Sequence, residues 1–248
     1  IQATQIAVAT YAATSDTPPA ASDYSAIASE FQEQPSTISV GRVETVKREL
    51  DLATFFAAAM SVFFLFFTVS FGVNGLLEEQ QQGTIRRLLV APIRVATIVG
   101  GKAIVSFVLG IVSMTILIVA SSLLIGADWG NPVGVGLLVI AGVTAATGLM
   151  MVIAAFAKTP EQAGNLMAIA AVGLGMLGGI FFPTGLGDGV LSYLAYISPH
   201  RWFLLGLADL AGGDDLTTIV PSIIGLLVFA AAGWSIALIR FRTKGLAL

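Results

Sequence analysis

Residues 77–98 read LEEQQQGTIRRLLVAPIRVATI, the longest polar interruption between hydrophobic segments that are each long enough to cross a bilayer. The stretch reads as the cytoplasmic hinge of a membrane protein. Glu78, Glu79 and three glutamines lead off the end of one span, Gly83 breaks the path, and Thr84 is placed to cap a short helix that Pro92 stops. Ile85, Leu88 and Leu89 recur at i, i+3 and i+4, so one face is apolar while Arg86 and Arg87 point elsewhere. Such a helix suits contact with another protein. An interfacial helix whose arginines reach lipid headgroups fits the same pattern.

Working outward, five long uncharged runs surround or follow the hinge, at 52–77, 103–125, 131–157, 162–187 and 216–239. Each exceeds the roughly 20 residues needed to cross the hydrocarbon core. The composition agrees: 56% hydrophobic and 11% charged residues, with a mean hydropathy of +0.90, exclude an ordinary soluble domain. The expected fold is therefore an all-α, multi-pass membrane protein with about five transmembrane helices. If the hinge is cytoplasmic, that side holds Arg86, Arg87, Arg94, Lys102, Lys158, Arg240, Arg242 and Lys244, against only Glu78, Glu79 and Glu161. The positive-inside rule selects this orientation and places the protein in the cell membrane.

Residues 1–51 read as a small external α/β segment, with strand-like IQATQIAVATY and TISVGRVET flanking a helix-like SDYSAIASEF. Residues 191–210, LSYLAYISPHRWFLLGLADL, are too interrupted to span. Ser198-Pro199 divides them into two short pieces, and Tyr193, Tyr196, Trp202 and Phe203 are residue types expected at headgroup depth. A dip into the outer leaflet and back is the expected course.

Several motifs that could carry chemistry do not. Gly173, Gly175 and Gly178 spell GxGxxG inside an apolar run, with no strand before them, so a dinucleotide site is excluded. Gly175 and Gly179 read instead as a GxxxG helix-packing pair, and Ala141, Gly142, Ala145, Ala146 and Gly148 offer a similar face on the previous run. Gly100-Gly101-Lys102 lacks the Ser or Thr of a phosphate loop, and Lys102 reads as a topology anchor. There are no cysteines and a single histidine, which argues against a metal site. His200 beside Pro199, Arg201 and Trp202 has no carboxylate or nucleophile at a motif spacing, so its expected role is structural, with Arg201 free to meet an anionic headgroup or substrate.

The run EEQQQGTIRRLLVAPI at 78–93 resembles the signature of ABC-2 type permeases, the membrane halves of ATP-binding-cassette exporters. Two further stretches are similar to the same family in the same order: KTPEQAGNLMAIAAVGLGMLGGIFFPTG at 158–185 and the 191–210 segment. The resemblance implies an ABC-2 transmembrane domain over 52–248, six spans of which the first is missing here, and a re-entrant helix pair around Pro199, His200, Arg201 and Trp202 before the last span. It implies an exporter permease subunit, for which the apolar, small-residue-rich spans suggest an amphiphilic or lipid-like cargo, with Glu78, Glu79, Gly83, Thr84, Arg86, Arg87, Leu88 and Pro92 coupling to a separate ATP-binding subunit. Two ATPase copies, a second permease half, and ATP with Mg held on the partner complete that expectation; this chain would hold no cofactor and catalyse nothing. A membrane scaffold or signalling subunit presenting the external segment is the rival expectation.

Overall fold

Asp51 starts the first helix: its carboxylate accepts the Thr54 N–H at 2.6 Å and the Thr54 hydroxyl at 2.9 Å, satisfying a donor that the helix leaves orphaned. The computed structural model describes residues 50–84, 87, 95–181, 190–211 and 216–244; the expected α/β segment lies outside them apart from its last two residues. In order, the helices are α1 (Leu52–Gln81), α2 (Val95–Ile125), α3 (Pro132–Phe156), α4 (Pro160–Leu177), α5 (Val190–Leu194), α6 (Pro199–Ala211) and α7 (Val220–Lys244), with 3₁₀ turns at Ala195–Ile197 and Leu216–Ile219. No strand occurs among the described residues.

Four helices are long and apolar enough to cross a membrane: Leu52–Gln81, Thr97–Ile125, Pro132–Phe156 and Leu216–Thr243, the last counting its 3₁₀ entry. The α3 helix is the centre of the bundle, with 67% of its most apolar window buried, against 22% for α2 and 28% for α7. Its small residues allow this. The backbones of α3 and α7 touch where a Cβ on Gly233 would fall 2.7 Å from the Gly148 carbonyl carbon, and Gly142 admits the Phe203 ring of α6. Large side chains on the other faces, such as Phe71, Ile116, Leu124 and Ile169, stay exposed, as a lipid-facing surface requires.

The bundle has an acidic and a basic end. At the first, the Asp128 N–H donates to the Thr54 hydroxyl at 2.9 Å, and Gly130 lies against the Leu210 backbone, so Asp51, Asp128 and Asp209 share it. At the other, the Arg240 guanidinium sits 5.0 Å from the Phe156 ring centroid, and Lys102 reaches Glu79.

The expected fourth span, 162–187, is corrected. Helix α4 begins at Pro160 behind a Thr159 cap and ends after 18 residues at Leu177. Its terminus is a Schellman motif: the Ile180 N–H donates to the Gly175 carbonyl at 3.2 Å, the Gly179 N–H to the Met176 carbonyl at 3.2 Å, and Gly179 has φ +83°. Gly179 is therefore past the helix, not paired with Gly175 along one face. Gly175 is small because Ile180 folds back onto it, with Phe63 of α1 on the other side. Contacts fix the depth at which α4 stops. Gly164 lies by Asn74 and Gly175 by Phe63, and Phe63 is about 16 Å along an α1 helix about 45 Å long.

Candidate functional site

The hinge is rooted at both ends. Helix α1 continues through Glu78 and Glu79 to Gln81, and Gly83 with φ +73° turns the chain away. Thr84 and Arg87 are helical, and the Arg87 N–H donates to the Gly83 carbonyl at 3.4 Å. Gly83 rather than Thr84 thus occupies the cap position of this short turn. Arg86, Leu88 and Pro92 lie outside the described residues. The Lys102 ammonium on α2 meets Glu79 on α1 at 2.5 Å, each side chain about one-third exposed. The pair straddles the hinge, so Lys102 has a partner and not only a place at the membrane surface. In this partly wet setting the bond is worth at most about 1 kcal/mol. Its contribution is geometric: it ties the end of α1 to the first turns of α2 across the hinge.

A second polar cluster lies deep between the helices, where α4 ends and α6 begins. Lipid offers no water to pair helix ends, so protein groups must do it. Ser198 does so for α6 and adds a second donor at the end of α4, where the Gly178 N–H already meets the Leu174 carbonyl at 2.7 Å. Its hydroxyl donates to the Leu174 carbonyl of α4 at 2.7 Å and accepts the His200 N–H at 3.2 Å, while its own carbonyl accepts the Arg201 N–H at 3.1 Å. Pro199, at the first position of α6, lacks the N–H that would otherwise be orphaned. The His200 Nδ1 is 3.2 Å from the same hydroxyl. Because the hydroxyl proton is committed to Leu174, Nδ1 must carry the ring hydrogen, leaving Nε2 as an acceptor with no partner among the described residues. The ring stacks on Phe66 of α1, centroids 4.2 Å apart, and is fully buried. Gly178 makes room: a Cβ there would fall 2.7 Å from the His200 Cβ and 2.8 Å from the Ser198 hydroxyl.

These positions correct the expectation of a headgroup-level segment. Phe66 is about 21 Å along α1, so His200 sits near mid-bundle, and Phe203 is buried against Gly142. Arg201 is half-buried, 5.8 Å from the Tyr196 ring centroid, and its Nε has no partner among the described residues. Trp202 donates its indole N–H to the Tyr196 carbonyl at 2.9 Å and fills the space left by Gly225 of α7. Ser198 and Gly178 were legible only in part: Ser-Pro marks a helix start, but nothing in the sequence joins either residue to His200.

The hinge motif, the long apolar helices and the broken 190–211 segment thus occur together in the order the sequence resemblance requires. The model of the ABC-2 family transporter protein matches residues 2–239. The chain belongs to the ABC-2 transporter family. It is accordingly a multi-pass protein of the cell membrane. The linearmycin resistance permease protein LnrN of Bacillus subtilis (strain 168) is 32% identical over 190 residues, covering 75% of this chain and 49% of that protein. The chain therefore spans about half the length of this curated relative. No solved structure matches it.

Proposed function

We propose that this chain is the transmembrane permease subunit of an ABC exporter, moving an amphiphilic cargo outward with energy from a separate cytoplasmic ATP-binding subunit. Membership of the ABC-2 transporter family over nearly the whole chain carries this reading. The relative named for a resistance permease supports it, since outward movement of a toxic compound would give resistance. In this reading two ATPase copies hold ATP and Mg and bind the hinges of two permease halves, either two copies of this chain or one copy with a related chain. The acidic end of the bundle faces outward by the positive-inside rule, and α5 with α6 forms the re-entrant pair.

The hinge transmits the stroke. Glu78, Arg86 and Arg87 make polar contacts with the ATPase, while Glu79 and Lys102 hold the roots of the hinge together. The test is reconstitution with the ATP-binding subunit in proteoliposomes, measuring cargo movement and ATP hydrolysis. Arg86→Glu with Arg87→Glu should leave insertion intact and lower both cargo-stimulated hydrolysis and export. Each surface charge alone is worth at most about 1 kcal/mol, so the double reversal, which adds repulsion, is the informative variant. Wild-type rates in that variant would sink the assignment of the hinge.

A further inference from the structure

A groove of about 500 Å³ lies between α2 and α3 toward the acidic end of the bundle. On α2 its wall runs over positions 111–122, about 16 Å of helix, close to the roughly 15 Å that one leaflet contributes to the hydrocarbon core. The wall is apolar in effect. The Thr115 hydroxyl is spent on the Ile111 carbonyl, the Ser122 hydroxyl on the Ala127 carbonyl, and the Trp129 indole N–H on Ser121. Val119 and Ile140 on its flanks are half exposed, which opens the groove sideways toward lipid.

The mouth has a different chemistry. Asp128 is exposed there, and one of its oxygens accepts the Gly130 N–H at 2.9 Å; no cation pairs with it among the described residues. The described charges of this end are Asp51, Asp128 and Asp209, whereas every described basic residue lies at the basic end or near mid-bundle. A one-leaflet apolar slot beneath a carboxylate with no cation partner among the described residues fits a membrane lipid with a cationic hydrogen-bond donor in its headgroup. We propose that the groove is a binding site for one acyl chain of a phospholipid whose primary ammonium headgroup meets Asp128. The proposal is independent of transport: it concerns a resident lipid, and it stands or falls whether or not the hinge couples to an ATPase.

Two substitutions separate the parts. Gly136 lines the groove, and a Cβ built on it meets nothing within 4 Å, so Gly136→Leu fills the slot without an internal clash. Asp128→Asn removes the charge but retains an oxygen for Gly130. The full chain would be purified from bilayers containing equal phosphatidylethanolamine, phosphatidylcholine and phosphatidylglycerol with identical chains, and retained lipid counted by native mass spectrometry. Wild type should retain the ethanolamine lipid with severalfold preference, Asp128→Asn should bind without preference, and Gly136→Leu should lose the lipid. A phosphatidylethanolamine carrying a photoreactive acyl chain should label residues between 111 and 140. Equal retention of the three headgroups, labelling spread over all exposed helices, or competition by transported cargo for the labelled site would overturn the proposal. So would self-crosslinking of Val119→Cys, which would give the groove to a second copy. Should Gly136→Leu fail to fold, the headgroup preference of Asp128→Asn still decides.

Discussion

At Ser198 one hydroxyl serves two helix ends, so its removal should cost more than an average hydrogen bond. Ser198→Ala strips a second donor from the Leu174 carbonyl and leaves the His200 ring N–H without an acceptor. A buried group left unpaired costs about 1–3 kcal/mol, and thermal unfolding in detergent should register a loss of that size. A retained melting temperature would mean that water takes the hydroxyl's place. The glycines allow a sharper comparison. Gly178→Ala drives a methyl into His200 and Ser198, whereas a Cβ at Gly173 meets nothing within 4 Å. The first should destabilise, while the second should be neutral or stabilise by up to about 1 kcal/mol through helix propensity. Equal effects would remove the packing argument. Asp51 adds a pH term. The Thr54 backbone N–H, and then its hydroxyl, hold the Asp51 carboxyl below its ordinary value of 3.8. A carboxyl depressed in the folded state stabilises fully above the unfolded value and loses that contribution as pH falls through the folded one. The stability difference between wild type and Asp51→Ala should therefore be constant near neutrality and shrink below pH 3.8.

Among the elements, what could be read in advance depended on whether a signal was local. Long apolar runs gave α1, α3 and α7 to within about five residues, because a single segment in lipid satisfies its own backbone only as a helix, while α2 begins at Val95, eight residues before its run. Gly83 as a break and Ser198-Pro199 as a helix start were equally local. The end of α4 was not. Nothing charged interrupts 162–187 until Asp188, and hydropathy is blind to a Schellman turn made by two glycines and an isoleucine that folds back. The same glycines suggested GxxxG packing, which the positive φ of Gly179 prevents. A close backbone approach between helices is instead made by Gly148 and Gly233, 85 positions apart, for which a single sequence carries no spacing signal. Gly233→Leu should separate α3 from α7 and lower stability by more than the roughly 1 kcal/mol expected of a glycine replaced in an open helix. A melting temperature equal to that of Gly173→Leu would refute a tight crossing.

For the whole molecule, the charge asymmetry of the bundle sets an orientation that can be checked from outside the cell. Native cysteines are absent, so single cysteines report cleanly. With the basic end inside, Ala211→Cys should react with an impermeant thiol reagent on intact cells, and Gln82→Cys and Thr243→Cys should react only after permeabilisation. The reverse pattern would invert the topology and, with it, the proposed face for the ATPase. The hinge was legible as a motif, but its Glu79–Lys102 clamp was not, because the partners are 23 positions apart and meet only once α1 and α2 are antiparallel. His200 was visible as a lone imidazole, yet its depth came entirely from the packing of α6 on α1 and α3. The stop of α4 inside the bundle bears on how the chain enters the membrane during synthesis. A segment of 18 residues whose first turns are polar and whose last turn is deep in the bundle is a poor candidate to partition into lipid unaided, and the serine that adds a second hydrogen bond at its Leu174 carbonyl emerges from the ribosome only two dozen residues later. Insertion of α4 should therefore wait for α6: in a chain truncated at 181 a single cysteine in the last turns of α4 should react with a water-soluble thiol reagent, and in one extended through 211 it should be protected; protection in both would refute the order.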